Sequence, residues 1–410
     1  MHDRCYPGRA HRAARYAQSV RQPRDDRHRG PGRADVVVIG GGIIGCAAAA
    51  IMADRGARVV LVERGAIGAG ASGRNLGAIQ HPFDPVLAPL HHESIARYRA
   101  LAEVSPEFRL GATPAGLLLL NHEADAAARQ AARLTTEIPE LEAELLDSDA
   151  VALMEPSLAP GPSAVRLATG YPIPPAAATN AWADLADDRG AELLVGVGAR
   201  PTIAKGAVAG ITLDDGTAIS APTVLVAAGP WTPALVDPSG NWRPIRPTYG
   251  VTVQLRLGAD APRHIVEEDA VDAINRAEAA TEEAATAPQD SDPPSLFSIA
   301  SADGVSTVGS TFLSVEPDPE RIEQLLLRRA AAFLPAVADA EVIGRRMCAR
   351  PQSVDGRPFI GAVAGTEGLF VCAGHGPWGI SIGPATAAMV ARTILDATAP
   401  PAELAATRAF

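Results

Sequence analysis

Lysine is nearly absent from the 410-residue sequence: of its 36 lysine and arginine residues, only Lys205 is a lysine. Chemistry that needs a lysine amine therefore has one position available. Aromatic residues make up 4% of the chain, which disfavours a sandwich of aromatic-rich sheets. The four cysteines lie far apart and form no CxxC pair, so the sequence predicts no disulfide framework and favours a reducing, cytoplasmic setting. We expect no metal site.

Acidic residues outnumber basic ones, 47 to 36, and the resulting net charge of −11 argues against a nucleic-acid-binding protein. Hydrophobic residues, at 47%, are numerous enough to form a sizeable core. Residues 1–33 differ from the rest, with nine arginines against three aspartates and no apolar periodicity. They predict a disordered basic tail, with a partner-binding patch as the alternative. Residues 275–294, rich in Ala, Glu, Asp and Pro, predict an exposed insertion.

An 18-residue run without charged residues, Val36–Ala53, follows the tail. Its length would suit a short membrane helix. Four glycines, at positions 40, 41, 42 and 45, interrupt the run where a buried strand would turn into a helix, and the sequence has no second run of this kind. We therefore predict a buried strand–turn–helix unit and no transmembrane segment.

This unit has the pattern of a dinucleotide-binding site. The strand Val36–Ile39 leads into Gly40-x-Gly42-x-x-Gly45, whose glycines permit a tight turn, the approach of a pyrophosphate and close helix–strand packing. A helix over Cys46–Arg55 would offer its N-terminal N–H groups to the phosphates. Glu63, at the end of the next strand, is placed to accept hydrogen bonds from ribose hydroxyls, which disfavours NADP. From these residues alone, FAD and NAD both stay open.

Motifs further along the chain resemble one family. Gly70–Asn75, with the sequence GASGRN, resembles the second flavin-contacting segment of the D-amino-acid oxidase-like FAD oxidoreductases, which include glycine oxidase, sarcosine oxidase and the amino-acid dehydrogenases. Thr223–Trp231 resembles the third flavin-domain strand of that family and the turn after it. Ala349–Gly361 and Ala373–Thr386 resemble its C-terminal signature. The resemblance extends from residue 34 to about 397 and favours FAD over NAD.

The resemblance implies an α/β fold with two domains. A Rossmann-like FAD-binding domain with a doubly wound parallel sheet would be assembled from residues 34–112, 162–236 and 344–398. An α+β substrate domain with a mixed or antiparallel sheet would come from residues 113–161 and 237–343.

The resemblance also implies which residues hold the cofactor. The glycines of the first turn would contact the pyrophosphate, Glu63 the adenosine ribose, and the loop after the last strand the isoalloxazine ring. The predicted FAD-binding residues are Gly40, Gly42, Ile43, Ile44, Gly45, Glu63, Arg64, Ser72, Arg74, Asn75, Ala199, Ala228, Gly229, Trp231, Cys348, Gly374, His375, Gly376, Gly379 and Ile380.

The resemblance leaves two modes of cofactor attachment open. Non-covalent binding of FAD is the mode we favour. The other is a covalent bond from Cys348 to the flavin 8α carbon, because Cys348 lies seven residues before Asp355, as the cysteine does in sarcosine oxidase-like members.

Arg350 matches the arginine that clamps the substrate carboxylate in the amino-acid-oxidising members. A planar guanidinium suits that contact because it can hold both carboxylate oxygens. Phe297 replaces a tyrosine, and Pro377 a second arginine, that help to hold the carboxylate in glycine oxidase-like relatives. These changes predict a weaker carboxylate grip and a substrate that is larger, less polar or not an α-amino acid. The predicted pocket wall comprises His81, Tyr249, Phe297 and Trp378.

The activity that the resemblance implies is oxidation of the C–N bond of an amino acid or related amine, by hydride transfer to flavin N5, giving an imine that hydrolyses. Oxygen, a quinone or a partner protein would reoxidise the flavin. In some sarcosine-oxidising relatives a lysine near the flavin activates oxygen, whereas Lys205 lies in a predicted surface turn. Two alternatives stay open: the flavoprotein subunit of a hetero-oligomeric amine dehydrogenase, and a nucleotide-binding protein without redox turnover.

Overall fold

The computed structural model describes residues 33–269 and 295–410. The predicted insertion and, except for Arg33, the predicted tail lie outside the described residues. The strands are β1 (Val36–Ile39), β2 (Val59–Glu63), β3 (Ala78–Ile79), β4 (Leu117–Asn121), β5 (Glu144–Leu146), β6 (Ser163–Leu167), β7 (Tyr171–Pro172), β8 (Glu192–Val195), β9 (Ala199–Ala204), β10 (Ala207–Leu213), β11 (Ala218–Ser220), β12 (Thr223–Val226), β13 (Ile245–Arg256), β14 (Ile265–Glu268), β15 (Ser295–Ala302), β16 (Val305–Thr311), β17 (Glu341–Ser353), β18 (Phe359–Ala362) and β19 (Leu369–Ala373). The α-helices are α1 (Ile43–Asp54), α2 (Ala71–Arg74), α3 (Ala88–Val104), α4 (Ala124–Glu137), α5 (Ser148–Met154), α6 (Ala177–Asp188), α7 (Thr232–Val236), α8 (Pro319–Phe333) and α9 (Gly379–Asp396).

The first of two large sheets has six strands in the order β18-β19-β12-β1-β2-β8. Its neighbouring strands are parallel except β18, which runs antiparallel to β19. The charge-free run of the sequence forms β1 and α1. Every residue of β1 is buried because both faces of the sheet are covered.

Different layers cover the two faces of this sheet. Helices α1, α6 and α9 pack with one face in a continuous apolar core. The antiparallel three-stranded sheet β11-β10-β9 packs on the other face, where a doubly wound sheet would carry further helices. The sequence therefore predicted the parallel sheet, and the structure adds a second, smaller sheet as its outer cover.

The second large sheet has eight strands in the order β17-β13-β16-β15-β14-β4-β6-β5. It is mixed, because β14 and β4 are parallel whereas the other pairs are antiparallel. Helix α8 begins after Asp318, whose side chain accepts the N–H of Glu320, and packs on one face of this sheet. The other face of β13–β16 is turned toward the six-stranded sheet. The predicted fold class, a parallel-sheet unit with a second unit built on a mixed sheet, is confirmed.

Three segments of the chain contribute to the six-stranded sheet: residues 36–63, 192–226 and 359–373. Strand β6 and all of β17 except its first three residues fall in the predicted FAD-binding segments, but both strands lie in the eight-stranded sheet. The domain limits stay a prediction, and we propose to place both strands with the substrate domain. Within residues 33–269 and 295–410, no helix is long and apolar enough to cross a membrane.

Candidate active site

A cavity of about 370 Å³ lies between the two large sheets. Because β1, β2, β12 and β19 are parallel, the loops at their carboxyl ends meet at one edge of the sheet. Most residues predicted to hold FAD line this cavity: Gly40, Gly42, Ile43, Ile44, Glu63, Arg64, Ser72, Arg74, Asn75, Ala199, Ala228, Gly229, Trp231, Cys348, His375, Gly376, Gly379 and Ile380. Gly45 and Gly374 do not line it and are neighbours of residues that do.

The glycines of the first turn form a space that larger residues would fill. Gly40 has φ +117°, and a Cβ there would overlap the carbonyl oxygen of Ala227 on the neighbouring strand. A Cβ at Gly45 would overlap the carbonyl oxygen of Gly40, which explains the close packing of α1 on β1. A Cβ at Gly42 would lie 3.1 Å from the Ser72 hydroxyl, on the side of the cavity. The turn thus fits a phosphate group that approaches the backbone.

The N-terminus of α1 supports the same ligand. Its N-cap is Gly42, which has no side chain of its own to cap the helix, and no acidic residue lies in its first turn. The N–H of Ile43 donates to the Ser72 hydroxyl at 3.0 Å, which ties the GASGRN segment to this turn. A twelve-residue helix with its N–H groups turned toward a cavity favours an anion, and the pyrophosphate of FAD suits it.

Glu63 is fixed at the end of β2 by two backbone donors. One carboxylate oxygen accepts the N–H of Gly41 and the other accepts the N–H of Gly65, each at 2.7 Å. A carboxylate has about four acceptor positions, so two are left for ribose hydroxyls. The structure therefore orients Glu63 for the role that its position in the sequence predicts.

We expect Glu63→Gln to weaken FAD binding by roughly 5- to 13-fold. Glutamine has only one acceptor oxygen and no charge, and a charged hydrogen bond exceeds a neutral one by about 1 to 1.5 kcal/mol. The measurement is the FAD dissociation constant, from flavin fluorescence during titration of the apoprotein. Glu192→Gln, at an exposed position on the neighbouring strand β8, is the control. An unchanged constant for Glu63→Gln would remove this residue from the site.

The segment after β19 places a neutral histidine against the cavity. The Thr386 hydroxyl donates to the carbonyl of Gly383, so His375 Nε2 donates to Thr386, at 2.9 Å. Burial lowers the pKa of His375 to about 3. His375 Nδ1 is buried without a hydrogen-bond partner in the described chain. The ring therefore brings an uncharged, polar edge to the predicted isoalloxazine site.

Arg350 lies in the cavity wall in a fixed orientation. One guanidinium nitrogen donates to the carbonyl of Thr311 at 2.7 Å and the other terminal nitrogen donates to the Ser310 hydroxyl. Its guanidinium carbon lies 4.5 Å from the centre of the Phe312 ring. A Cβ at Gly250 would collide with the guanidinium, so the glycine makes room for it. Five N–H groups and two such contacts leave donors for a ligand carboxylate.

Two predicted pocket residues do not line the cavity, which corrects the sequence prediction. Phe297 is fully buried on the opposite face of β15, where its ring stacks on Phe333 of α8 with centroids 4.9 Å apart. Tyr249 on β13 is also absent from the wall. Their neighbours Ser298 and Gly250 line the cavity instead. Successive side chains of a strand point to opposite faces, so a shift of one residue exchanges wall and core.

The other two predicted wall residues, His81 and Trp378, do line the cavity. Trp378 packs edge-to-face against Phe83, with ring centroids 6.3 Å apart. Lys205 is exposed, in the turn between β9 and β10, as predicted. The cavity therefore contains no lysine.

Glu267 is a cavity residue that the sequence reasoning missed. It lies on β14, is 6% exposed, and accepts a hydrogen bond from the Gln80 amide at 2.8 Å. The backbone N–H of Gln80 donates to the Ser381 hydroxyl of α9 at 3.0 Å, so a chain of contacts links Glu267 to the FAD-binding segments. The available signal was an acid directly after the apolar residues Ile265 and Val266, on a strand with both faces buried.

Comparisons with known proteins identify the family of this chain. The model of the FAD dependent oxidoreductase family matches residues 35–393. Glycine oxidase from Geobacillus kaustophilus is 30% identical over 383 residues, which cover 88% of this chain and 92% of that protein. Glycine oxidase from Pseudomonas aeruginosa is 29% identical and covers 87% and 93%. The crystal structure of glycine oxidase from Geobacillus kaustophilus superposes with a TM-score of 0.75 over 92% of this chain and all of that one, at 26% identity.

Proposed function

The chain belongs to the family of FAD-dependent oxidoreductases, and from that premise we propose that it oxidises a carbon–nitrogen bond of an amino acid. The relatives named glycine oxidase support an amino-acid substrate. The observation that carries the proposal is Arg350, a guanidinium held in the cavity wall with donors to spare. A non-catalytic nucleotide-binding protein would have no use for such a group beside the predicted isoalloxazine site.

The cofactor would supply the redox chemistry, and the protein would bind and orient the substrate. FAD, when bound, would accept the hydride of the carbon that bears the amine, and the imine left behind hydrolyses in water. Arg350 would hold the substrate carboxylate and thereby fix the neighbouring α-carbon. Because Thr311 and Ser310 hold the guanidinium before the substrate arrives, little ordering is required on binding.

The position of Glu267 favours a substrate with a cationic group at the end opposite its carboxylate. It is in register with Ser298 on β15, and Ser298 is in register with Gly309 on β16. Strands are roughly 4.7–4.9 Å apart, so roughly 9–10 Å of sheet separates the backbones of Glu267 and Gly309. Gly309 is adjacent to Ser310, which contacts Arg350. Arg350 and Glu267 therefore lie along the same wall of the cavity, separated by the length of several covalent bonds.

The residue between these two charged groups, Gly309, has no side chain. A Cβ at Gly309 would lie 3.3 Å from the Ser298 hydroxyl, 3.4 Å from the Thr252 methyl group and 3.6 Å from Leu76 Cδ1, so these side chains pack closely around the glycine. In the binding mode that we propose, an aliphatic chain would lie beside Ser298, with a carboxylate at Arg350 and an ammonium or guanidinium at Glu267. We propose an amino acid with a cationic side chain of about the length of lysine as the substrate class.

The test is anaerobic reduction of the bound flavin by a panel of amino acids in both enantiomeric forms. We expect lysine and ornithine to bleach the visible flavin absorption faster than norleucine, which has no terminal charge. Bleaching that is followed by reoxidation with oxygen identifies an oxidase, and reoxidation only by a quinone or partner protein identifies a dehydrogenase. FAD that binds but is reduced by no amine of the panel would establish the non-catalytic alternative.

We propose that FAD is bound without a covalent link. Cys348 lines the cavity, but burial raises the pKa of its thiol more than the nearby Arg350, Arg74 and Arg346 lower it. The thiolate that would attack the flavin is therefore scarce at neutral pH.

Acid denaturation should accordingly release all of the flavin into the supernatant, measured by its absorption after the precipitate is removed. Flavin that stays with the precipitate of the unsubstituted protein, and not with that of Cys348→Ser, would show a covalent bond to this cysteine.

A further inference from the structure

Three side chains from separate segments form a cluster beside the cavity wall. His81 follows β3, His92 lies in α3, and Glu140 lies in the short 3-10 helix Pro139–Leu141 after α4. One ligand atom from each lies within 4.8 Å of the others. His81 Nε2 is 3.8 Å from a carboxylate oxygen of Glu140, and the rings of His81 and His92 are 5.4 Å apart. None of the three belongs to the predicted FAD-binding residues, and His81 is the member of the cluster that also lines the cavity.

The protonation state of His81 is fixed by its surroundings. Its Nδ1 lies 2.7 Å from the carbonyl oxygen of Pro82, which can only accept, so Nδ1 carries the hydrogen. His81 Nε2 is then a bare lone pair. It is buried, with the residue 2% exposed, and has no hydrogen-bond partner in the part of the chain that the structure describes.

A buried lone pair without a partner is costly, because the nitrogen has lost its water and gained nothing in return. A neutral histidine that donates its other ring N–H to a backbone carbonyl is the usual arrangement of a metal-ligating histidine. The carboxylate of Glu140 supplies negative charge on the same side. These three properties together suit a cation that accepts nitrogen and oxygen donors.

We propose that His81, His92 and Glu140 bind a zinc ion. Two imidazole nitrogens and one carboxylate oxygen form a common zinc ligand set, with water in the fourth position. At zinc–ligand bonds of 2.0–2.2 Å, the ligand atoms of a tetrahedral site are roughly 3.4 Å apart. The distance from His81 Nε2 to the Glu140 carboxylate oxygen, 3.8 Å, is close to this value. His92 and Glu140 are both exposed, so they can close on the ion and give it a path from solvent.

The ion would connect two parts of the fold. His81 and His92 belong to the predicted FAD-binding segment 34–112, whereas Glu140 belongs to the predicted substrate segment 113–161. A zinc ion that bridges them would stabilise the folded protein by binding it and not the unfolded chain. The sequence did not reveal this site because no two of the three ligands have a metal-ligand spacing.

The experiment uses the FAD-loaded full chain without an affinity tag, stripped with a chelator and transferred to metal-free buffer. Titration calorimetry with zinc chloride should show one saturable site, and zinc should raise the melting temperature. His92→Ala and Glu140→Gln should each weaken zinc binding by more than tenfold, since changes even to the partners of ligands cost 10- to 100-fold. Both positions are exposed, and an unchanged flavin absorption spectrum verifies that the variants fold.

The matched controls are His122→Ala and Glu137→Gln, exposed positions outside the cluster that should retain the affinity of the unsubstituted protein. Magnesium chloride at the same concentration should give no comparable heat, since magnesium prefers six oxygen ligands. The proposal is overturned if zinc does not saturate one site, or if the two cluster variants bind zinc as tightly as the controls.

Discussion

Arg350→Lys should lower kcat/KM for amino acids with a free carboxylate by about 10- to 150-fold while FAD stays bound. Lysine keeps the positive charge but loses the two-pronged geometry and the contacts to Thr311 and Ser310 that hold it in place. Loss of one charge-assisted contact, about 1.5–3 kcal/mol, corresponds to that range if the contact persists in the transition state. The measurement is the rate of flavin reduction over a range of substrate concentrations.

Two controls separate substrate binding from a structural role. The carboxamide of the same amino acid should lose far less rate in Arg350→Lys, because it never makes the charged contact. Arg345→Lys changes an arginine of the same strand that contacts Glu323 of α8, on the side of the sheet away from the cavity, and should leave the rate near that of the unsubstituted protein. Equal losses for acid and amide would mean that Arg350 is structural.

Glu267→Gln should lower kcat/KM for lysine-like substrates by roughly 30- to 150-fold. Glutamine keeps the size and one acceptor oxygen but removes the charge that would face the substrate cation. Removal of one partner from a buried charged contact costs about 2–3 kcal/mol at the lower end of measured cases, which gives this factor. The side-chain oxygen of the new glutamine can still accept the hydrogen bond from the Gln80 amide, so the structure of the cavity wall is retained.

Norleucine is the control substrate for this variant, since it matches the aliphatic chain and has no terminal charge. Its rate should stay within a few-fold of the value for the unsubstituted protein. If lysine and norleucine respond alike, Glu267 does not recognise a substrate cation, and the amino-acid oxidation itself still stands. If no amine reduces the flavin of the unsubstituted protein, the oxidation fails as well, so the two outcomes are distinguishable.

The strand–turn–helix–strand unit at the start of the predicted FAD site could be predicted from sequence because its elements are consecutive in the chain. The residues from Val36 to Glu63 form strand, turn, helix and strand in the predicted order, and a Cβ at Gly45 would overlap the carbonyl oxygen of Gly40 within that short stretch. The GASGRN segment meets the turn through the hydrogen bond from Ile43 to Ser72, which joins residues 29 apart in the sequence. Short-range steric requirements leave a readable pattern.

The residues that line the substrate part of the cavity depend on the tertiary structure. Phe297 and Tyr249, predicted as wall residues from the resemblance, lie one residue away from the wall residues Ser298 and Gly250, and a shift of one residue along a strand exchanges its two faces. Glu267 and the cluster of His81, His92 and Glu140 depend on segments that are distant in sequence and meet only when the sheets pack. The residues alone predict a glycine turn on a parallel sheet and a dinucleotide site, because that pattern lies within one short stretch of the chain, and the resemblance of later motifs implies FAD. Which charges face the substrate was settled only by the register and packing of the eight-stranded sheet, because strand register is a long-range property.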